Sequence, residues 1–318
     1  MKNYYIPIEK SPNFQALHKG IPYNTITAFF GPAFAGKSTF MAQLGCEVAL
    51  ARDGDLLVFD TENSLHTYVE RREALEKMFD VTINIVRLKP RIEHDGKKTK
   101  RVFSVDWSMH PEDEVDKEAL NLYVMHCPDI DDILVAHGRG MDIKISDKAD
   151  SGKMQAVPQV NAWTKTADAP FVRFIQEAGI KCVIYDSLTN PLNTFVATSA
   201  NFPGRADMSQ AWMNQLHNLA ALLDMPILVS MHESRNDSDP ISKQLKPQGG
   251  KTVLYGTKYV TYMMVKNARG LLPSSATKPR QLADGERAML LFRHSAKKPW
   301  ADVAYFELTD DGLVDMEE

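Results

Sequence analysis

Short runs of apolar, β-prone residues alternate with longer stretches of helical periodicity along most of this chain. The strand-like runs cover residues 25–30, 56–60, 122–126, 182–186 and 226–232. Residues 64–79 and 207–224 instead place apolar side chains at helical spacing, which predicts helices with one face on the core. Strands that alternate with helices are typical of a mostly parallel sheet covered by helices on both faces. The pattern therefore predicts an α/β fold.

The pattern changes after residue 255. Three β-prone runs, at 257–267, 287–295 and 302–309, follow one another with no helical stretch between them. Such runs, separated by Gly, Pro and Ser, predict antiparallel strands that finish one edge of the sheet. Two other stretches, 90–101 and 146–170, are predicted to be irregular, and we interpret the charge run 91–101 as a solvated face.

Composition narrows the class of protein. Of the 318 residues, 44% are hydrophobic and 25% are charged, which is typical of a soluble globular protein and excludes disordered and fibrous classes. The net charge of −4 provides no general attraction for nucleic acid. The three cysteines form no C-x-x-C motif and predict no disulfide framework. Without a signal-peptide pattern or a long apolar run, we expect a cytoplasmic protein that contacts no membrane.

Residues 31–38 read Gly-Pro-Ala-Phe-Ala-Gly-Lys-Ser, a complete G-x-x-x-x-G-K-[ST] motif between a predicted strand and a predicted helix. The glycines let the backbone wrap, so that successive N–H groups and the helix N-terminus point at phosphates. Lys37 then reaches the β- and γ-phosphates, and the Ser38 hydroxyl takes a Mg²⁺ position. We therefore expect ATP with Mg²⁺ at this loop, held by Gly31, Pro32, Ala33, Phe34, Ala35, Gly36, Lys37, Ser38 and Thr39.

Acidic residues follow two of the predicted core strands. Asp186 ends the run 182–186 and is the candidate for the carboxylate that holds Mg²⁺ in P-loop ATPases. Glu62 follows the run 56–60, and because parallel strands end at one rim, it is placed to polarise the attacking water. A turn-starting Asp and a helix-starting Glu are the plainer alternatives.

His232 ends the run 226–232, just before a polar loop at 233–250. It is a candidate to donate a hydrogen bond to the γ-phosphate and to report that phosphate to the loop. A structural histidine at a strand end is the alternative.

Four elements follow one another along the chain: the P-loop, Asp60-Thr61-Glu62, Tyr185-Asp186-Ser187 and His232. In this order they resemble the RecA family of recombinase ATPases, and most closely its archaeal RadA and RadB branch. The resemblance covers roughly residues 17–318 and includes 202–205, 225–230, 247–251 and 306–315. It implies a RecA-type core with an antiparallel C-terminal edge. It also implies ATP hydrolysis with Mg²⁺, single-stranded DNA as a partner, and either a homo-oligomer (filament or ring) or a recombinase partner.

The same resemblance implies two DNA-facing loops, at about 189–206 and 233–250. Their candidate contacts are Phe195, Phe202, Arg205, Arg235, Lys243 and Lys246. Aromatic side chains stack on bases and cations contact phosphates, as single-strand binding requires. Neither loop is strongly basic, so ordinary surface loops are the alternative.

Several positions depart from the family pattern. His232 stands where the family usually has glutamine, as in some phage-type ring helicases. Residues 1–24 read as a short extension in place of a helical DNA-binding domain, and they lack the Phe-x-x-Ala polymerisation motif. The stretch between Glu62 and Asp186 is long, which predicts insertions at 88–120 and 146–170. We expect residues 1–318 to form a single RecA-like ATPase domain.

Three functions remain open at this point. The first is a DNA-stimulated ATPase of RadA or RadB type, acting on single-stranded DNA in recombination or repair. The second is a RecA-fold ring helicase or motor of phage or DnaB type, favoured by His232. The third is a nucleotide-switched recombination mediator with little turnover.

Overall fold

The computed structural model describes residues 4–62, 65–95, 98–106, 116, 118–126, 170–189, 213–214, 216–233, 257, 259–266, 279–292 and 300–316. The expected insertion at 146–170 lies outside them except for its last residue, and so do residues 107–115 of the other insertion.

Strands and helices alternate through the first two thirds of the described chain. The strands are β1 (Tyr5–Ile6), β2 (Ile21–Pro22), β3 (Ile26–Gly31), β4 (Asp55–Asp60), β5 (Ile83–Asp95), β6 (Lys98–Asp106), β7 (Leu120–His126), β8 (Ile180–Asp186), β9 (Ile227–His232), β10 (Tyr259–Val265), β11 (Glu286–Phe292), β12 (Trp300–Thr309) and β13 (Gly312–Asp315). The helices are α1 (Pro12–His18), α2 (Lys37–Ala51), α3 (Leu65–Phe79), α4 (Pro170–Glu177) and α5 (216–223). All five predicted core strands are confirmed within one or two residues.

Among the described residues, eleven strands form one sheet in the order β13-β12-β11-β10-β3-β9-β8-β4-β7-β5-β6. The central strands from β10 to β5 run parallel to one another. On one side β11, β12 and β13 are antiparallel, and on the other β6 is antiparallel to β5. This arrangement confirms the prediction of a mostly parallel α/β sheet with an antiparallel C-terminal edge.

Two sequence-based expectations were wrong. The run at 257–267 was expected to be antiparallel, but β10 lies parallel to β3 and only its other neighbour, β11, is antiparallel. Residues 90–101 were interpreted as an irregular loop, but most of them form the backbone of the β5–β6 hairpin. The register of this hairpin runs from Arg87 opposite Asp106 to Asp95 opposite Lys98.

The two faces of the sheet bury separate hydrophobic clusters, because neighbouring residues on a strand point to opposite faces. Leu57 and Phe59 of β4 belong to one cluster, and Leu56 and Val58 belong to the other. Leu216 and Leu219 of α5 cover the first face, while α2 with Tyr68 and Leu75 of α3 covers the second. This confirms the predicted apolar stripes for the described residues, and residues 207–212 of the second stripe lie outside them. Within the described ranges, every helix is too short or too polar to span a bilayer.

Residues 4–22, expected as an extension, pack against the main sheet. Ile6 and Phe14 are buried in the cluster that contains α2. The carboxylate of Asp315 on β13 accepts hydrogen bonds from the Ser11 hydroxyl and from the Asn13 N–H, at the start of α1. The segment therefore shares the core of the sheet that carries the P-loop.

Candidate functional site

Adjacent parallel strands bring the predicted site residues to one rim of the sheet. Gly31 at the end of β3 is in register with His232 at the end of β9. Asp60 at the end of β4 is in register with Asp186 at the end of β8. Since β3, β9, β8 and β4 are consecutive in the sheet, residues far apart in sequence converge at their carboxyl ends.

Two glycines of the phosphate loop are required by its geometry. A Cβ on Gly31 would lie 2.3 Å from the backbone oxygen of Met263 on the neighbouring β10. Gly36 has φ of +87° and caps the N-terminus of α2, which begins at Lys37. Glycine adopts this left-handed conformation without steric cost. The loop thus turns directly into the helix, whose first N–H groups are free to bind an anion.

The Lys37 side chain lies folded along the loop. Its Nζ donates to the backbone oxygens of Gly31 (3.2 Å) and Pro32 (2.8 Å). Burial lowers the pKa of Lys37, and the negative charges of Asp186, Glu62 and Glu233 only partly offset that effect. A buried ammonium bound mainly to neutral carbonyls suits an anionic phosphate oxygen, which makes stronger hydrogen bonds.

The two carboxylate oxygens of Asp186 differ in their contacts. Its Oδ1 accepts a hydrogen bond from the Ser230 hydroxyl, whereas Oδ2 is buried and has no hydrogen-bond partner among the described residues. A buried carboxylate oxygen without a partner is costly unless a cation compensates it. Mg²⁺ is bound through one or two carboxylates together with hydroxyl, water and phosphate oxygens. Asp186 and the Ser38 hydroxyl at the start of α2 therefore fit the expected metal.

Glu62 accepts two hydrogen bonds on a single carboxylate oxygen. Its Oε1 accepts from the Ser187 hydroxyl and pairs with His232 Nε2 at 2.8 Å. Burial raises the pKa of Glu62, but the hydrogen bonds from His232 and Ser187, with the charges of His232 and Lys37, lower it by more. The carboxylate is therefore ionised at neutral pH. Among the described residues nothing bonds to Oε2, which leaves that oxygen for a water molecule.

A hydrogen-bonded link between β4 and β8 fixes the two acids relative to each other. The Thr61 N–H donates to the backbone oxygen of Asp186 at 2.8 Å. Its hydroxyl donates to the backbone oxygen of Ser187 and accepts from the Ser187 N–H, each at 2.9 Å. From the sequence alone, Thr61 and Ser187 are only parts of motifs. Their supporting role, like that of Ser230, emerges from contacts between strands.

His232 contacts Glu62 in this structure. Besides the Glu62 contact, its backbone N–H donates to the Thr189 hydroxyl at 2.9 Å. The next residue, Glu233, is buried and accepts a hydrogen bond from the Tyr262 hydroxyl at 3.0 Å. The end of β9 is thereby connected to Glu62 on one side and to β10 on the other.

A pocket of about 400 Å³ adjoins the P-loop at Thr39. It lies between α2, α3 and the turn that joins β12 to β13. Its lining combines polar and apolar side chains, including Thr39, Gln43, Arg71, Leu75, Leu308 and Asp310. Its three walls come from separate segments of the chain, so the pocket has no signal in the sequence.

A solved structure is similar to this chain in fold. No protein-family model matches the chain, and no curated protein matches its sequence. Among solved structures, the crystal structure of the RadB recombinase matches with a TM-score of 0.52 and 17% sequence identity, over 96% of this chain and 98% of that chain. The fold is RecA-like. The match runs along nearly the whole of both chains, so the RecA-like core includes the antiparallel strands as well as the P-loop rim.

Within this RecA-like core, the described site residues from Gly31 to Thr39, with Glu62, Asp186 and His232, lie at the same rim. The six candidate DNA contacts are a separate group. Phe195, Phe202, Arg205, Arg235, Lys243 and Lys246 lie outside the described residues and stay predictions.

Proposed function

We propose that this protein is a RecA-type ATPase that binds ATP with Mg²⁺ at residues 31–39 and hydrolyses it. The observation that carries the proposal is the convergence of Lys37, Glu62 and Asp186 at the carboxyl ends of adjacent parallel strands. A phosphate loop, an ionised carboxylate with one uncommitted oxygen, and a buried carboxylate suited to a cation are the parts that P-loop hydrolysis needs.

Each residue has a distinct role in this proposal. The loop N–H groups and the first turn of α2 bind the triphosphate, and Lys37 transfers its hydrogen bonds from the carbonyls of Gly31 and Pro32 to phosphate oxygens. Ser38 and Asp186 hold Mg²⁺, which neutralises charge on the β- and γ-phosphate oxygens when bound.

Glu62 orients and polarises the attacking water through Oε2 while Ser187 and His232 hold Oε1. The pocket beside Thr39 receives the nucleobase, because it adjoins the start of α2 at Thr39 and carries both apolar and hydrogen-bonding side chains.

We further propose that the ATPase acts on single-stranded DNA in recombination or repair, as an oligomer or beside a recombinase in the cytoplasm. The support is the resemblance in sequence to the RadA and RadB branch together with the likeness in fold to a RadB recombinase. His232 ends β9 immediately before the proposed DNA-facing loop 233–250 and contacts Glu62. These two features support a role for His232 in coupling the DNA loop to Glu62.

A ring helicase or motor is the second candidate, since histidine at position 232 is a feature of some phage-type ring helicases. The test measures ATP hydrolysis with and without single-stranded DNA, and unwinding of a forked duplex. We expect Mg²⁺-dependent hydrolysis that single-stranded DNA stimulates, with no unwinding. Unwinding would favour the motor, tight ATP binding without turnover would favour a nucleotide-switched mediator, and absence of ATP binding would refute the proposal.

A further inference from the structure

Arg287, near the start of β11, donates hydrogen bonds to two backbone oxygens of the phosphate loop. Its Nε donates to the backbone oxygen of Ala35 at 3.2 Å, and its Nη2 donates to that of Phe34 at 3.2 Å. Its Nη1 donates to the backbone oxygen of Glu286 at 2.9 Å. Burial lowers the pKa of Arg287, yet an arginine remains charged at any pH at which the protein is folded. A charged, planar fork thus holds two successive carbonyls at the tip of the loop.

Because of peptide-bond geometry, these hydrogen bonds also determine where the N–H groups of the loop point. In a planar trans peptide the C=O of one residue and the N–H of the next point in opposite directions. When the carbonyls of Phe34 and Ala35 point to Arg287, the N–H groups of Ala35 and Gly36 point away from it. N–H groups at these positions are the ones with which a phosphate loop binds its anion.

The tip of the loop also needs an external restraint. Phe34 has φ of +61°, a left-handed conformation that is unfavourable for a residue with a Cβ. Its side chain is 92% exposed, so burial of the ring does not compensate the strain. The hydrogen bond from Arg287 to the Phe34 oxygen is a contact that holds this residue in its strained conformation.

We propose that Arg287 is a positioning residue for the triphosphate, which keeps the N–H groups of Ala35 and Gly36 aimed at the phosphates by holding the carbonyls on the other side of the loop. This inference rests on the proposed function, because it assumes that the loop binds ATP. Arg287 acts through the backbone and is not itself a phosphate ligand.

The test compares ATP affinity in the full chain, measured by calorimetry with Mg²⁺, for the parent, Arg287→Ala and Arg287→Lys. Because the hydrogen bonds from Arg287 come from a charged donor, Arg287→Ala should weaken ATP binding by roughly ten- to a hundredfold. Lysine keeps the charge but lacks the planar guanidinium group, so Arg287→Lys should show most of the loss of ATP affinity seen in Arg287→Ala. Arg280→Ala is the matched control, since Arg280 pairs with the side chain of the adjacent Glu286 at the surface and should leave affinity unchanged.

A second substitution separates positioning from general stability. Glycine adopts positive φ without cost, so Phe34→Gly placed in the Arg287→Ala background should restore a large part of the lost affinity. Thermal unfolding without nucleotide reports stability independently. Parent-like affinity in Arg287→Ala, or full recovery in Arg287→Lys, overturns the inference while leaving the proposed function intact. Failure of Phe34→Gly to restore affinity in a folded double variant also overturns it, and absence of ATP binding by the parent overturns both proposals.

Discussion

Glu62→Gln separates the chemical role of this carboxylate from its structural one. Glutamine keeps an oxygen at the position of Oε1, so it can still accept from the Ser187 hydroxyl and His232 Nε2, but it removes the negative charge. If Glu62 polarises the attacking water as proposed, its loss should lower the rate of ATP hydrolysis by about 10²- to 10⁴-fold. ATP affinity should change little, because Lys37, Ser38 and Asp186 remain.

The structure also sets the effect on stability. A neutral hydrogen bond contributes about 1 kcal/mol net and a charge-assisted one roughly twice as much, so two bonds that lose their charge cost about 2 kcal/mol at most. The Glu62 side chain is 30% exposed, and solvent screening reduces the expected cost to about 1 kcal/mol.

The contribution of Glu62 to folding stability changes with pH in a defined direction. The folded-state pKa of Glu62 lies below its ordinary value, so its charge stabilises the fold above the unfolded-state pKa, near 4.3 for a glutamate. That contribution is lost as the pH falls through the folded-state value. The stability difference between the parent and Glu62→Gln should therefore be largest near neutral pH and should close below about pH 4.

The assay pairs single-turnover ATP hydrolysis with urea unfolding at neutral and acidic pH. Asp284→Asn serves as the control, because Asp284 forms an ion pair with Lys266 at the surface and is 92% exposed. It should change neither rate nor stability. Turnover at the parent rate in a folded Glu62→Gln variant would show that another group activates the water. A stability difference that widens in acid would refute the assigned direction of the pKa shift.

Three further outcomes are expected. Lys37→Ala should abolish hydrolysis in a folded protein, because it removes the ammonium at the loop. A phosphate-release assay measures hydrolysis and circular dichroism checks folding, and substantial turnover would place the nucleotide elsewhere. Asp186→Asn should weaken the Mg²⁺ dependence of ATP binding more than metal-free binding, and identical Mg²⁺ titrations would remove Asp186 from the metal site. Gly31→Ala should destabilise the protein by about 1–3 kcal/mol in urea unfolding, because its Cβ meets the Met263 oxygen at 2.3 Å, and an unchanged midpoint would refute that packing.

The features that sequence predicted best are those with a local signal. The phosphate loop is contiguous, and the strands before Asp186 and His232 are apolar runs that end in a polar residue. Once such strands are parallel and adjacent, their carboxyl ends must share a rim, so the position of Asp60 and Asp186 at one rim followed from the fold class.

The features that sequence missed depend on contacts between distant segments. The charges of 91–101 suggested a solvated face, because the segment alone does not reveal that its backbone pairs with a neighbouring strand. The direction of β10 depends on how the chain returns to β3, and the run 257–267 is equally compatible with either orientation. Arg287 belongs to no motif, and its role depends on the placement of β11 beside the loop.

The sheet order has a consequence for biosynthesis. The strand that leads into the phosphate loop, β3, is flanked by β9 and β10, so neither of its pairing partners precedes it in the chain. At typical translation rates of about 5–20 residues per second, β9 emerges roughly 200 residues, and hence tens of seconds, after β3. Until then the apolar strand Ile26–Gly31 lacks its hydrogen-bonding partners. A nascent chain that stops before residue 227 should therefore be unable to retain nucleotide and should depend on chaperones to keep that strand from aggregating.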